Sequence, residues 1–274
     1  MIKLGIRAHD MGKMDAKSLF DQAKAYGFDG IQLVVNKALS ENIPLDTANF
    51  EALKAVKSVD VMLLGSYFNP IHSQKSKVLE GIERFKKQLA LAHILDCEFV
   101  ASETGSFNDD QWTYHTNNHT ESAYQNVLKI FKDLVNEAEK VDRTVLIEAA
   151  YGHVIFAPSV LRRLIQDLNS PNVGVIVDLY NLLNHRNHSK HDLILQEALV
   201  LLRPFIKVFH LKNYVESDGK LIQTGLDKGL MDYKALLPMM INSNPEAYYI
   251  FEGITGEDIK TSLDYIKNII KEAV

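Results

Sequence analysis

Short apolar runs alternate with amphipathic stretches eight times along this chain, and few folds accommodate that order. The runs lie at residues 2–7, 30–35, 60–65, 97–101, 144–148, 172–178, 206–210 and 248–252. Continuous apolar runs suit strands covered on both faces, as in a parallel sheet. Between them, residues 15–26, 50–59, 77–95, 121–141, 158–168, 193–202 and 232–241 carry apolar residues at helical spacing. A last stripe, Ile259, Leu263, Ile266 and Ile270, follows a capping-box pattern at residues 255–258. The repeat is about 30 residues, with no Pro/Ser-rich linker. Eight such units in 274 residues predict an α/β protein, a closed (β/α)8 TIM barrel forming a single domain over residues 1–274. A doubly wound open sheet is the rival, but no G-x-G-x-x-G follows any run.

The last four runs end in residues that do not suit a core. Thr144-Val-Leu-Ile stops at Glu148, the run from Asn172 at Asp178, Ile206-Lys-Val-Phe at His210, and Tyr248-Tyr-Ile-Phe at Glu252. In a barrel, the C-terminal ends of the strands surround one cavity, so these four side chains converge. Three carboxylates crowded in a partly desolvated cavity repel one another, and a divalent cation removes that cost. Three oxygen donors and one imidazole suit Mn²⁺, Mg²⁺, Co²⁺ or Zn²⁺, with positions left open for substrate oxygens. Taken singly, each acid has an ordinary reading as a helix N-cap, and His210 as a satisfied core histidine. The set on consecutive strands five to eight is harder to explain that way.

Composition narrows the function. A net charge of −5 gives no electrostatic reason to bind nucleic acid or anionic lipid. No apolar run approaches a membrane span, and the N-terminus enters a strand without a signal-peptide pattern. Cys97 is the sole cysteine, which excludes an intrachain disulfide and leads to an expectation of a reducing, cytoplasmic setting. Residues 103–118 form a long polar and aromatic loop, and loops of that length in compact domains are usually functional.

The quartet Glu148, Asp178, His210 and Glu252 resembles the metal site of the xylose-isomerase-like barrel superfamily. The likeness extends to Asn69-Pro-Ile-His72, Glu103-Thr-Gly-Ser106, His210-Leu-Lys212 and the approach from Gly225 to Tyr233. The first two of these pieces look most like its sugar-phosphate isomerase/epimerase branch. The resemblance implies one divalent metal ion and a small-molecule sugar or polyol substrate. It implies proton abstraction next to a carbonyl through a metal-stabilised enediolate, with Glu148 and Glu252 as the acid–base pair. An inosose-type dehydratase on the same metal site is the alternative, and a non-catalytic sugar-binding barrel the second. Asn181 stands where endonuclease IV and the ketose 3-epimerases carry histidine, and Val154 where the latter carry a glutamate. DNA repair is therefore not expected, and the superfamily chemistry is expected without a particular substrate. The family is often oligomeric, so a homo-oligomer is an open expectation.

Around the quartet, His9, His72, Glu103, Asn181 and Lys212 are expected to contact substrate. Each has a plainer reading, for example a solvated loop lysine for Lys212. Tyr67, Phe68, Trp112 and Phe156 are candidates for the cavity wall. His115 and His119 are expected to face solvent, and Cys97 to be a buried small hydrophobe.

Overall fold

The computed structural model describes residues 2–110 and 112–273. Met1 and Val274, the ends of the expected domain, and Gln111 of the long loop lie outside the described residues. Eight parallel strands close into a barrel: β1 (Lys3–Arg7), β2 (Gly30–Leu33), β3 (Asp60–Gly65), β4 (Phe99–Glu103), β5 (Thr144–Glu148), β6 (Val173–Asp178), β7 (Ile206–Leu211) and β10 (Tyr248–Phe251). Each is hydrogen-bonded to its sequence neighbour, and β1 pairs with β10 to close the ring. A two-stranded antiparallel hairpin, β8 (Asn213–Ser217) and β9 (Lys220–Thr224), stands apart from the barrel.

The outer ring holds α1 (Ala16–Tyr26), α2 (Val35–Ala38), α3 (Thr47–Val56), α4 (Lys75–Leu91), α5 (Glu121–Lys140), α6 (Pro158–Leu168), α7 (His191–Leu202), α8 (Tyr233–Ser243) and α9 (Asp258–Ala273). Their ends follow capping chemistry. The side chains of Asp15, Asp46, Thr120 and Asp232 accept from backbone N–H groups in the first turns of α1, α3, α5 and α8. Pro158 occupies the first turn of α6, where its missing N–H costs nothing. Helix α1 stops at Gly27, whose φ of 93° is open to glycine at little cost.

Apolar side chains form two layers. The larger lies between the strands and the helices and includes Phe20, Phe50, Phe131 and Phe209. The smaller fills the barrel itself with Met62, Leu63, Phe99, Ala101, Leu146, Ile176, Val208 and Ile250. Three strands leave room for that filling by carrying glycine. A Cβ on Gly5 or Gly30 would meet Met62 at 2.7 Å, and one on Gly174 would meet Leu146 at 2.8 Å.

Several local expectations shift. Strand four begins at Phe99 rather than Cys97, so Glu103 is its last residue and not the start of a loop. Cys97 is buried just before it, as expected. The helix expected at 77–95 ends at Leu91 and continues as a 3-10 turn over Ala92–Leu95. The stretch 212–230, read as a polar loop, contains the β8–β9 hairpin, whose outward residues are polar enough to conceal the strand pattern. The final helix begins at Asp258 rather than directly after Thr255.

A methyl at position 30 would lie 2.7 Å from the Asp60 carbonyl oxygen as well as from Met62, and a backbone atom cannot rotate aside. Gly30→Ala should lower the unfolding free energy by about 1–3 kcal/mol, measured by urea denaturation, with the native spectrum kept.

Candidate active site and metal centre

Strand alternation explains why one end of the barrel carries the chemistry. Side chains two residues apart point the same way. On β5, β6 and β7, inward Leu146, Ile176 and Val208 are followed by Glu148, Asp178 and His210. Ile250 is followed by Glu252, immediately past β10, and Ala101 by Glu103. The same step leads from Gly5 to Arg7 and from Gly30 to Gln32. Register aligns the ends: Glu103 pairs with Glu148 across β4 and β5, and Asp178 with His210 across β6 and β7. Glu103, Glu148, Asp178, His210 and Glu252 are all buried.

Each of three carboxylates spends one oxygen on the protein and turns the other toward the His210 imidazole. Glu148 Oε1 accepts from Asn181 Nδ2 at 2.6 Å, and Oε2 lies 3.5 Å from His210 Nδ1. Asp178 Oδ1 accepts from the Asn181 backbone N–H at 3.0 Å, and Oδ2 lies 3.5 Å from the same nitrogen. Glu252 Oε1 is shared by Arg7 Nη1 and Lys212 Nζ, each at 2.7 Å, and Oε2 lies 3.1 Å from Nδ1. Lys212 Nζ is also 2.8 Å from Asp178 Oδ2.

Glu148, Asp178 and His210 each offer a ligand atom, and these atoms lie within 4.8 Å of one another. Glu252 falls outside that triad, drawn toward Arg7 and Lys212. His210 Nδ1 is buried without a hydrogen-bond partner among the described residues, and Asp178 Oδ2 beside it is paired with Lys212 Nζ at 2.8 Å. An unsatisfied imidazole nitrogen facing buried carboxylate oxygens fits a divalent cation. On the far side of the ring, His210 Nε2 donates to Gln32 Oε1 at 2.8 Å, and Gln32 Nε2 donates to Tyr67 Oη at 2.9 Å. That chain leaves Nδ1 as the ligating nitrogen when the ring is neutral.

Burial opposes every charge here, and neighbours decide the outcome. Burial pushes the Glu148 carboxyl up. Burial would do the same to Glu252, but Lys212, His210 and Arg7 outweigh it and hold its carboxyl well below the usual range. Burial would lower His210, yet Glu252 and Glu148 keep its imidazolium up at about 10. Lys212 is raised despite burial, chiefly by Asp178 and Glu252. Glu103 is pushed well up by burial and by Glu148.

The expected substrate residues separate into groups. Asn181 bridges the site, donating to Glu148 and accepting from Lys212 Nζ at 3.2 Å. Lys212 is buried among carboxylates rather than solvated. His9 stands half-buried past β1, held at about 4 by burial and by Arg7. His72 lies elsewhere, in a groove with Ile82 and Ile130, 3.4 Å from Asp109. Its loop runs outward from β3 over α4. A cavity of about 490 Å³ opens beside the triad, floored by Glu103 and Asn181 and walled by Trp112, Tyr114, Tyr151 and Tyr180. Phe68 instead packs under α4 against Gly81, and Phe156 stacks on His119 with centroids 3.6 Å apart. His115 and His119 are half-buried rather than solvent-facing.

Sequence reading passed over Arg7, Gln32 and the cavity tyrosines. For the first two a signal existed: each stands two residues beyond an inward glycine at its strand end. Tyr151 lies in a turn and Tyr180 opens a 3-10 turn over Tyr180–Leu182, too short for periodicity to mark a direction.

The chain matches the family model described as xylose isomerase-like TIM barrel over residues 20–269, and it belongs to that family. No curated protein matches the sequence significantly. Among solved structures, 3-keto-D-glucoside 4-epimerase from E. coli superposes with a TM-score of 0.76 at 18% identity, covering 98% of this chain and 100% of that one. A xylose isomerase-like TIM barrel protein from Mycobacterium smegmatis, in complex with magnesium, gives 0.74 at 15%, covering 99% and 97%. The probable 3-DHS dehydratase from Bacillus anthracis gives 0.72 at 14%, covering 98% and 99%. At these identities the likeness is one of fold.

Two measurements probe the centre. Gln32→Leu removes the acceptor behind His210 and should weaken Mn²⁺ binding about 10–100-fold by calorimetry. With the imidazolium held up at about 10, a proton must leave Nδ1 before a cation can bind at neutral pH. Mn²⁺ affinity should therefore rise about tenfold per pH unit between pH 6 and 8, with proton release visible in buffers of different ionisation enthalpy.

Proposed function

We propose that this chain is a divalent-metal-dependent sugar isomerase or epimerase that moves a proton at a carbon beside a carbonyl. The observation that carries the reading is the placement of Glu148 and Glu252. They come from β5 and from the end of β10, flank the Asp178–His210 pair, and each faces His210 Nδ1 with one oxygen, at 3.5 and 3.1 Å. Two buried carboxylates on either side of one centre can address the two faces of a sugar carbon. The proposed ligands are Glu148, Asp178, His210 and Glu252.

In this reading Glu148 and Glu252 form the acid–base pair, one removing the proton and the other returning it. A divalent cation held by these residues would supply the positive charge that stabilises negative charge on the substrate oxygens as the proton leaves. Asn181 fixes the Glu148 carboxylate through its 2.6 Å bond, so that the free oxygen faces the substrate. Arg7 and Lys212 hold Glu252 Oε1 and leave Oε2 available. In this reading Glu103 and Asn181, which line the cavity, meet substrate hydroxyls, together with Lys212 and His9. A net charge of −5 supports a small neutral or weakly charged substrate over nucleic acid. Among the described residues no helix is long and apolar enough to cross a membrane. We place the reaction in the cytoplasm on the single-cysteine composition.

A dehydratase is the second reading, favoured by the fold shared with the probable 3-DHS dehydratase. Removal of a proton beside a carbonyl is common to both, and the fate of the neighbouring hydroxyl separates them.

The test is a proton-exchange screen of ketoses and inososes in D₂O with Mn²⁺, read by NMR. Deuterium should enter at a carbon beside the carbonyl, and EDTA should abolish it. Glu148→Gln and Glu252→Gln should each slow exchange by about 10²–10⁴-fold. Wild-type exchange in either variant removes that residue from the role, loss of water marks the lyase, and no exchange with any sugar rejects the isomerase reading.

A further inference from the structure

The cavity beside the triad is lined mostly by residues that proton transfer does not need. The long loop after β4 brings Trp112 and Tyr114 over it, opposite the β8–β9 hairpin at Lys220 and Leu221. Trp112 is 55% exposed and Tyr114 44% exposed, although His153 lies beside the Trp112 ring with centroids 6.3 Å apart and Lys37 Nζ sits 5.6 Å over it. Tyr114 stacks on Tyr151 with centroids 5.7 Å apart and planes at 20°.

This wall is built rather than draped. Buried Asn118 donates to Ser106 Oγ at 2.9 Å and to the Gly152 carbonyl at 2.7 Å, and accepts from Phe107 N–H at 2.8 Å. Ser106 Oγ donates to the Thr113 carbonyl at 2.6 Å. Gly152 is what lets the loop approach: a Cβ there would meet the Trp112 carbonyl oxygen at 2.8 Å. On the other wall, Tyr180 Oη donates to the Leu221 carbonyl at 3.0 Å and ties the hairpin to the barrel mouth.

We propose that this cavity is a subsite for the second ring of a glycoside, with the reacting sugar beside it over Glu148 and Glu252. Sugar rings present apolar C–H faces that stack on aromatic rings, and their hydroxyls suit the polar edge formed by Asn184, His185 and Lys220. A phosphosugar fits less well. Lys220 is the one Lys or Arg among the lining residues, exposed beside the hairpin turn, and a phosphate calls for convergent cationic or N–H donors.

The inference rests on the proposed sugar chemistry for the position of the first ring, but its test is a binding measurement. Trp112 is the sole tryptophan, so emission reports this wall directly. The Mn²⁺-loaded full chain would be titrated with maltose, cellobiose, sucrose and trehalose, and in parallel with glucose and glucose 6-phosphate, by emission and by calorimetry. At least one disaccharide should bind about tenfold or more tighter than glucose and glucose 6-phosphate. Tyr114→Ala should remove that advantage, and Tyr114→Phe should keep it. No disaccharide advantage, an advantage unchanged in Tyr114→Ala, or tighter binding of glucose 6-phosphate would overturn the subsite. A disaccharide advantage without proton exchange would leave the subsite standing and remove the isomerase reading. Exchange confined to monosaccharides, with no disaccharide advantage, would do the reverse.

Discussion

Three buried carboxylates within reach of one imidazole are electrostatically untenable by themselves, and much of the barrel mouth is arranged around that fact. Glu148, Asp178 and Glu252 are each nearly or fully removed from water. Desolvation and mutual repulsion would protonate such a group unless positive charge stood close by. Lys212, Arg7 and the His210 imidazolium supply it. Lys212 reaches both Asp178 and Glu252, and Arg7 takes Glu252 from the β1 side while anchored to Asp10. One oxygen of each carboxylate faces His210 Nδ1. A divalent cation there would answer the remaining negative charge, and His210 would give up its proton to admit it.

That arrangement depends on a scaffold that cannot slip. In a closed barrel no strand has a free edge, so a register shift in one strand must be taken up by all the others. Below the charged layer, Leu146, Ile176, Val208 and Ile250 fill the barrel against Met62, and Gly5, Gly30 and Gly174 make the space for them. Tight packing beneath fixes the height at which Glu148, Asp178 and His210 emerge. The second ring of contacts then sets their orientation: Asn181 for two of the carboxylates and Gln32 for the imidazole. Above them, the long loop and the hairpin form walls held by hydrogen bonds from Asn118 and Ser106 on one side and Tyr180 on the other.

The amino-acid pattern alone reached the barrel and the four strand-end residues, because both follow from short-range rules. Apolar runs of five to seven residues alternating with helical stripes leave little besides a (β/α)8 barrel, and strand ends in that fold share one cavity. The same rule, applied to Gly5–Arg7 and Gly30–Gln32, would have found Arg7 and Gln32. A glycine in place of an apolar residue hid the inward direction. Glu103 was named as a loop residue and proved to be a strand end, because the alternation of β4 starts two residues later than its apolar run suggests.

What only the tertiary structure decided is which charges meet. Nothing local tells whether Lys212 is solvated or buried between Asp178 and Glu252, since its partners lie 34 and 40 residues away in sequence. His72 is placed outside the cavity by the outward path of the loop after β3, and Trp112 and Tyr114 over it by a hydrogen bond from Asn118 to the distant Gly152. Periodicity fixes the direction of a side chain within its own strand. Ion pairing, burial and the shape of a cavity are sums over several strands and loops, and they acquire values when the barrel closes.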